Sequence, residues 1–169
     1  MISRRFKVRS LKSQMRDTQG FTLIELLVVM AILAILFALV LVAVNPVRQT
    51  QQANNTQRAS DINAIVNAVN QYAADNKGAL PSGITTSLKL IGTTLSACDA
   101  SLCGSETPQA NCVDLSGSIA PKYIAAIPHD PTTGNDSNTR YGIKITGVDN
   151  RILVRACDAE LSQTIQVTQ

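Results

Sequence analysis

The chain contains no tryptophan, three phenylalanines, three tyrosines and one histidine in 169 residues. A core with so few rings must lean on Ile, Leu, Val and Ala. No G-x-S-x-G, H-E-x-x-H, Walker or dinucleotide fingerprint occurs, so the common hydrolase, zinc-peptidase and nucleotide-binding classes have no signature here. His129 beside Asp130 lies in a proline-rich loop without a matching nucleophile and reads as a surface residue rather than an acid–base centre. Charge is also scarce, at 16% of residues, and unevenly spread. Residues 1–20 hold six basic side chains (Arg4, Arg5, Lys7, Arg9, Lys12, Arg16) against Asp17, a net of +5, which leaves −2 for the remainder. A nucleic-acid-binding domain carries its basic patch on the folded part, so this distribution argues against one. It fits the positive-inside rule, with a cytoplasmic leader and an exported body.

The most complete absence is local. From Leu26 to Val44, nineteen consecutive residues include no charge, no proline and no glycine. As a helix they reach close to the ~30 Å of a bilayer's hydrocarbon core. Two features separate this run from a plain anchor. Glu25 sits at its start, where burying a charge costs roughly 2.5–3.5 kcal/mol even on the lenient insertion scale. The basic segment before it ends in Gly20, whereas a secretory signal places its cleavage site after the apolar region.

Asn45-Pro46 follows, and the proline predicts a kink or short break. Helical character then resumes over Val47 to Asn76. Ile62, Ile65, Val66, Val69, Tyr72 and Ala73 recur at core spacing, interleaved with Asp61, Asn63, Asn67, Asn70 and Gln71 on the polar side. Residues 49–57 are polar on every side, as for a solvated stretch or one facing a partner subunit. Gly78 and Pro81 predict the helix end. A short helix is expected around Thr85–Leu95, within a Ser/Thr/Gly-rich loop that runs to residue 117. Tyr141–Thr146 and Arg151–Cys157 alternate as the two arms of a β-hairpin about Gly147-Val148-Asp149-Asn150, with a weaker strand near Thr164–Thr168.

All four cysteines, Cys98, Cys103, Cys112 and Cys157, lie in this body. Their spacing lacks paired C-x-x-C units, which favours disulfides over zinc in an exported domain. Three pairings are open. Cys98–Cys103 with Cys112–Cys157 is the expected one, because the first pair is close in sequence and the second ties the loop to the hairpin. Asp130, Asp136, Asp149 and Asp158 are candidate calcium ligands, Asp130 and Asp136 foremost. Their spacing matches no fixed loop motif, so solvated turn residues are the plainer reading and no cofactor is expected. Lys122, Arg140, Lys144, Arg151 and Arg155 read as a dispersed, solvated basic face.

The basic leader, then Gly20-Phe21-Thr22-Leu23-Ile24-Glu25 opening a long apolar run, resembles the class III signal of type IV pilins and type II secretion pseudopilins. The likeness is close over the first third of the chain. The Tyr72-Ala73-Ala74-Asp75-Asn76 helix end and the Ile127-Pro128-His129-Asp130-Pro131 loop are also similar to those of pilins and major pseudopilins. One departure is that Pro46 falls a few residues later than the helix-breaking proline of many members.

The resemblance implies an α+β, pilin-like fold: a long N-terminal helix, transmembrane in its first half, packed on a small C-terminal antiparallel β-sheet. It implies a leader over 1–20, a transmembrane and filament-core helix over 21–45, an amphipathic helix over 46–78 and a globular head over 79–169. Gly20 and Phe21 would be the processing residues, with cleavage after Gly20 and N-methylation of Phe21 by a prepilin peptidase. Thr22 and Glu25 would serve assembly, Glu25 by pairing with the freed amine of a neighbouring subunit. The implied partners are further copies in a helical filament, an inner-membrane assembly platform with its ATPase, and the membrane; nucleic acid enters only in DNA uptake. The subunit would sit in the cytoplasmic membrane with its head outside, then in a surface filament, and would not be an enzyme. A secretion-system pseudopilin, or a membrane-tethered binding domain that never polymerises, are the alternatives.

Overall fold

The structure is a computed structural model, and it describes residues 20–43, 45–95, 98, 101–147, 149 and 151–169. The leader expected over 1–20 thus lies outside the described residues except for Gly20, as do Val148 and Asn150 of the expected hairpin turn. The chain divides into two compact units, Met1–Val44 and Asn45–Gln169.

The first unit is built on α1, Leu23–Ala43, a 21-residue helix. Thr22 starts it: its Oγ1 accepts from the Glu25 N–H at 3.3 Å, and its carbonyl accepts from the Leu26 N–H at 3.2 Å. A threonine three residues before a glutamate is the sequence of a capping box, and the side-chain half of that box is present. Glu25 lies in the first turn, where its charge complements the helix dipole. The described side chains from Phe21 to Leu41 are all exposed. Leu23–Leu41 is long and apolar enough to cross a membrane.

In the second unit Asn45 caps α2, Pro46–Asp75: its backbone is extended and its Oδ1 accepts from the Arg48 N–H at 3.2 Å. Pro46 occupies the first turn, where its missing donor is not needed. The helix stops at Asn76, and the chain reverses through Lys77 and Gly78 at φ 57° and 86°. The Gly78 N–H returns to the Ala73 carbonyl at 2.8 Å, closing the end as the glycine predicted.

Four antiparallel strands form one sheet in sequential order: β1 Lys89–Leu90, β2 Tyr141–Ile145, β3 Ile152–Ala156 and β4 Gln166–Thr168. Tyr141, Ile143, Val154 and Ala156 cover the face toward α2, where Ile62, Ile65, Val66 and Val69 are wholly buried with them. This α+β arrangement, an apolar N-terminal helix and a helix packed on an antiparallel sheet, is the expected fold. The helix expected around Thr85–Leu95 is instead strand β1. Leu88 and Leu90 alternate onto the far face of the sheet, a period-2 pattern too short to be told from a helix turn by sequence alone.

That far face carries a second, smaller core. Leu88, Leu90, Cys98, Cys103 and Cys112 bury one another there, beneath the cysteine loop. Gly142 leaves room for this packing. A Cβ at that position would lie 2.9 Å from Leu88 Cδ1 and 3.4 Å from Cys103 Sγ. The disulfides are Cys98–Cys112 and Cys103–Cys157, which corrects the expected pairing. Proximity in sequence misled, because Cys103 lies on the sheet's outer face beside the end of β3, while the 109–113 segment runs alongside β1 and returns Cys112 to Cys98. A one-turn helix, α3 Ser116–Ile119, then leads to the proline-rich loop.

Candidate functional site

The N-terminal segment offers its groups openly. Among the described residues, and apart from its chain neighbour, nothing lies within 4 Å of where a Cβ on Gly20 would sit, and Phe21 is 85% exposed. Glu25 is exposed one turn into an apolar helix. Thr22, expected as an assembly residue, is used here as the helix cap. The geometry therefore brings an unobstructed Gly-Phe bond, a carboxylate and an uncovered apolar helix into one short stretch.

Within the body the polar chemistry gathers around Arg58, which is fully buried on the α2 core face. Its Nε donates to Asp130 Oδ2 at 2.7 Å and its Nη2 to Asp130 Oδ1 at 3.1 Å. Nη2 also reaches Thr132 Oγ1 at 2.9 Å, while Nη1 reaches Asn55 Oδ1 at 2.9 Å and Glu160 Oε2 at 2.8 Å. All five guanidinium N–H groups thus have an acceptor. Asn55 completes the joint by exchanging hydrogen bonds with the Glu160 backbone, N–H to Oδ1 at 2.9 Å and Nδ2 to carbonyl at 2.8 Å. One helix turn so fixes two loops, 128–134 and 157–163.

The electrostatics follow from this packing. Burial pushes the Asp130 carboxyl up, but hydrogen bonds from Arg58 and from the Thr132 and Thr133 donors outweigh it and bring it down to about 2. Burial likewise works against the Arg58 charge, and Asp130 and Glu160 more than restore it. Hydrogen bonds from Arg58 and Asn54 hold the Glu160 carboxyl below its ordinary range. Nearby, the Tyr141 hydroxyl donates to Asp61 Oδ2 at 2.7 Å; burial, then this bond, pushes the phenol well above its usual value.

Two further ion pairs lie at the sheet ends. Arg140 holds both oxygens of Asp158 at 2.7 Å, and Asp158 also accepts from the Thr133 hydroxyl. Lys144 holds both oxygens of Glu106 at 2.8 and 2.7 Å, and Arg155 stands 3.6 Å from the same carboxylate.

Several expectations change here. Asp61, read as part of the polar face of α2, is buried, and so is Asn55 within the stretch read as polar on every side. Arg140, Lys144 and Arg155 are paired rather than a solvated basic face, with Arg155 itself buried. For calcium, Asp130 has both oxygens engaged by Arg58, and Asp158 is held by Arg140, so each already has its cation. Asp136 and Asp149 are exposed. Among the described residues, no three His, Cys, Asp or Glu side chains gather as a metal site. His129 is exposed, its Nδ1 3.3 Å from the Asp130 carbonyl. Sequence reading missed Arg58. The signal was present: Asn55, Arg58, Ile62, Ile65 and Val69 continue one i, i+3, i+4 stripe, and an arginine on a core stripe calls for a buried carboxylate.

Residues 15–41 match the family described as "Prokaryotic N-terminal methylation motif". Over 63 residues the chain is 46% identical to "Type II secretion system core protein G" of Pseudomonas aeruginosa (strain ATCC 15692 / PAO1). That stretch is 37% of this chain and 43% of the relative, so the likeness covers less than half of either. No solved structure matches the chain.

Proposed function

For a chain that belongs, by its prepilin-type N-terminal segment, to the type IV pilin and pseudopilin family, we propose the role of a structural filament subunit. The leader is removed after Gly20, the new amine of Phe21 is methylated, and α1 holds the subunit in the cytoplasmic membrane with the body outside. The subunit then leaves the lipid for a pilus or pilus-like filament. Its partners are the prepilin peptidase, the inner-membrane assembly platform with its ATPase, and further copies of itself.

The observation that carries this reading is the complete exposure of an apolar helix that begins immediately after an unobstructed Gly-Phe bond. A helix apolar all round requires apolar surroundings on every side. Lipid supplies them before assembly, and the same helices of other copies supply them afterwards. Glu25 then has a use: in an apolar bundle a lone carboxylate seeks a cation, and the Phe21 amine freed by cleavage is one. Nothing in this role requires catalysis, and the Arg58 cluster of the body has every guanidinium donor satisfied in a way that suits a structural part.

A pseudopilin of a type II secretion system is the second reading, favoured by the likeness to the secretion protein. Mass spectrometry of the mature chain is the decisive test of processing. The expected product begins with N-methylated Phe21, and an intact Met1 terminus would sink the reading. Electron microscopy of sheared surface material separates the two destinations: filaments containing this chain mark a pilin, whereas a processed chain confined to the cell envelope marks a pseudopilin.

A further inference from the structure

We propose that a groove on the body, walled by the proline-rich loop, receives the first turn of α2 from a second copy of this chain, with Val47 in its apolar part and Arg48 against its carboxylates. This rests on the filament reading above and names a contact within it. The groove has a volume of about 390 Å³ and is lined by Ile91, Ala125, Ala126 and Ile127 together with Asp114 and Asp136. Both aspartates are exposed. Asp114 Oδ1 is bonded to Ser116, but among the described residues no side chain bonds its second oxygen or either carboxylate oxygen of Asp136. The groove thus asks for an aliphatic side chain with a cation beside it.

The rest of the body narrows the choice. Of its nine basic residues, Arg58, Lys122, Arg140, Lys144 and Arg155 stand in ion pairs, and Lys89 donates to the Gly83 carbonyl. Among the described residues, Arg48, Lys77 and Arg151 have no side-chain acceptor. In the body, the exposed large hydrophobic side chains among the described residues are Val47, Leu95 and Leu102. Val47 alone of these adjoins one of the three unpaired cations. It is 64% exposed in its own molecule. It also lies about three helical turns beyond Arg58, the point where the 128–134 loop meets α2, so the same molecule's groove is out of its reach.

Plug and groove sit at different places on one chain, so each copy can give one and receive one. Such a contact is heterologous, and its repetition builds an open helical array rather than a closed dimer. The symmetry is the one a filament requires.

The test is disulfide trapping in the full chain, produced with its assembly machinery. With Val47→Cys and Ala126→Cys on one chain, mild oxidation is expected to give a ladder of oligomers on a non-reducing gel. Either substitution alone should stop at dimers. Filaments that form but yield no ladder would overturn the contact while leaving the filament reading intact. Absence of both filaments and ladder, in a chain whose native form also makes none, would overturn both. A charge exchange gives an independent check. Asp114→Lys with Asp136→Lys should lower filament yield roughly ten-fold, and adding Arg48→Glu should restore most of it. A yield unmoved by the two lysines, or unrescued by Arg48→Glu while the body keeps its native unfolding midpoint, would likewise overturn the contact.

Discussion

Arg58 grips both oxygens of Asp130, Nε to Oδ2 at 2.7 Å and Nη2 to Oδ1 at 3.1 Å, with neither side chain exposed to solvent. The pair joins a helix to a loop 72 residues away in sequence. Its members depend on each other, because a buried charge without its partner is far more costly than the pair is beneficial. Arg58→Met should therefore destabilise the protein by roughly 3–5 kcal/mol, read as a lower urea midpoint with an unchanged slope. Arg58→Lys keeps the charge but offers three donors where five are used, and should recover only part of that loss. A midpoint within experimental error of the native one in Arg58→Met would show that the cluster contributes little to holding the fold.

The same cluster sets the acid limit of the fold. Asp130 is lowered to about 2 in the folded protein, against about 3.9 for a free aspartate. A carboxyl depressed by folding contributes stability above its unfolded value, and that contribution is lost as pH falls toward the folded one. Glu160 and Asp158 are shifted in the same direction by Arg58 and Arg140. The stability of the body should thus be flat down to about pH 5, fall steeply from about pH 4 to pH 2, and lose on the order of 2–3 kcal/mol through Asp130 alone. Unfolding followed by circular dichroism at stepped pH reads this directly. In Arg58→Met the fall over that window should be shallower, since Asp130 no longer gains from being charged.

The frame of the molecule is legible in its sequence. The break at Pro46, the core stripe from Ile62 to Val69, the hairpin arms and the exposed apolar run all follow from periodicity and punctuation. What stayed hidden has a common cause. Arg58–Asp130, Tyr141–Asp61 and Arg140–Asp158 join residues 72, 80 and 18 positions apart. No local pattern encodes which buried arginine meets which carboxylate. β1 was lost because its two residues are strand only through pairing with β2. The second core beneath the cysteine loop was lost for the same reason, since it exists only where the loop folds over Gly142.

The two disulfides differ in what they close. Cys98–Cys112 spans 14 residues and Cys103–Cys157 spans 54, the latter tying the loop to the end of β3. On loop-closure entropy the shorter contributes about 3 kcal/mol and the longer about 4 kcal/mol. Replacing Cys103 and Cys157 together by serine should therefore lower the unfolding midpoint more than replacing Cys98 and Cys112. It should also expose the outer sheet face to proteolysis within 98–113. Non-reducing peptide mapping checks the connectivity first; a Cys98–Cys103 peptide would refute it.

Thr22 and Glu25 carry two roles that mutation can separate. Thr22 caps α1 through the Glu25 N–H, a bond worth about 1 kcal/mol at a helix start. Glu25 adds its charge to the helix N-terminus and, in the filament reading, meets the amine of a neighbouring subunit. Thr22→Val removes the cap and keeps the carboxylate, while Thr22→Ser preserves both. Glu25→Gln keeps a capping-box side chain and removes the charge. If pairing is the function, Glu25→Gln and Glu25→Ala should be cleaved normally yet assemble poorly, whereas Thr22→Val should assemble at near-native yield. If helix initiation is what matters, the order reverses: Thr22→Val should fail and Glu25→Gln should assemble. Quantifying processed chain in membranes against chain in sheared filaments distinguishes the two, because cleavage reports on the Gly20–Phe21 bond and filament yield on the step that follows.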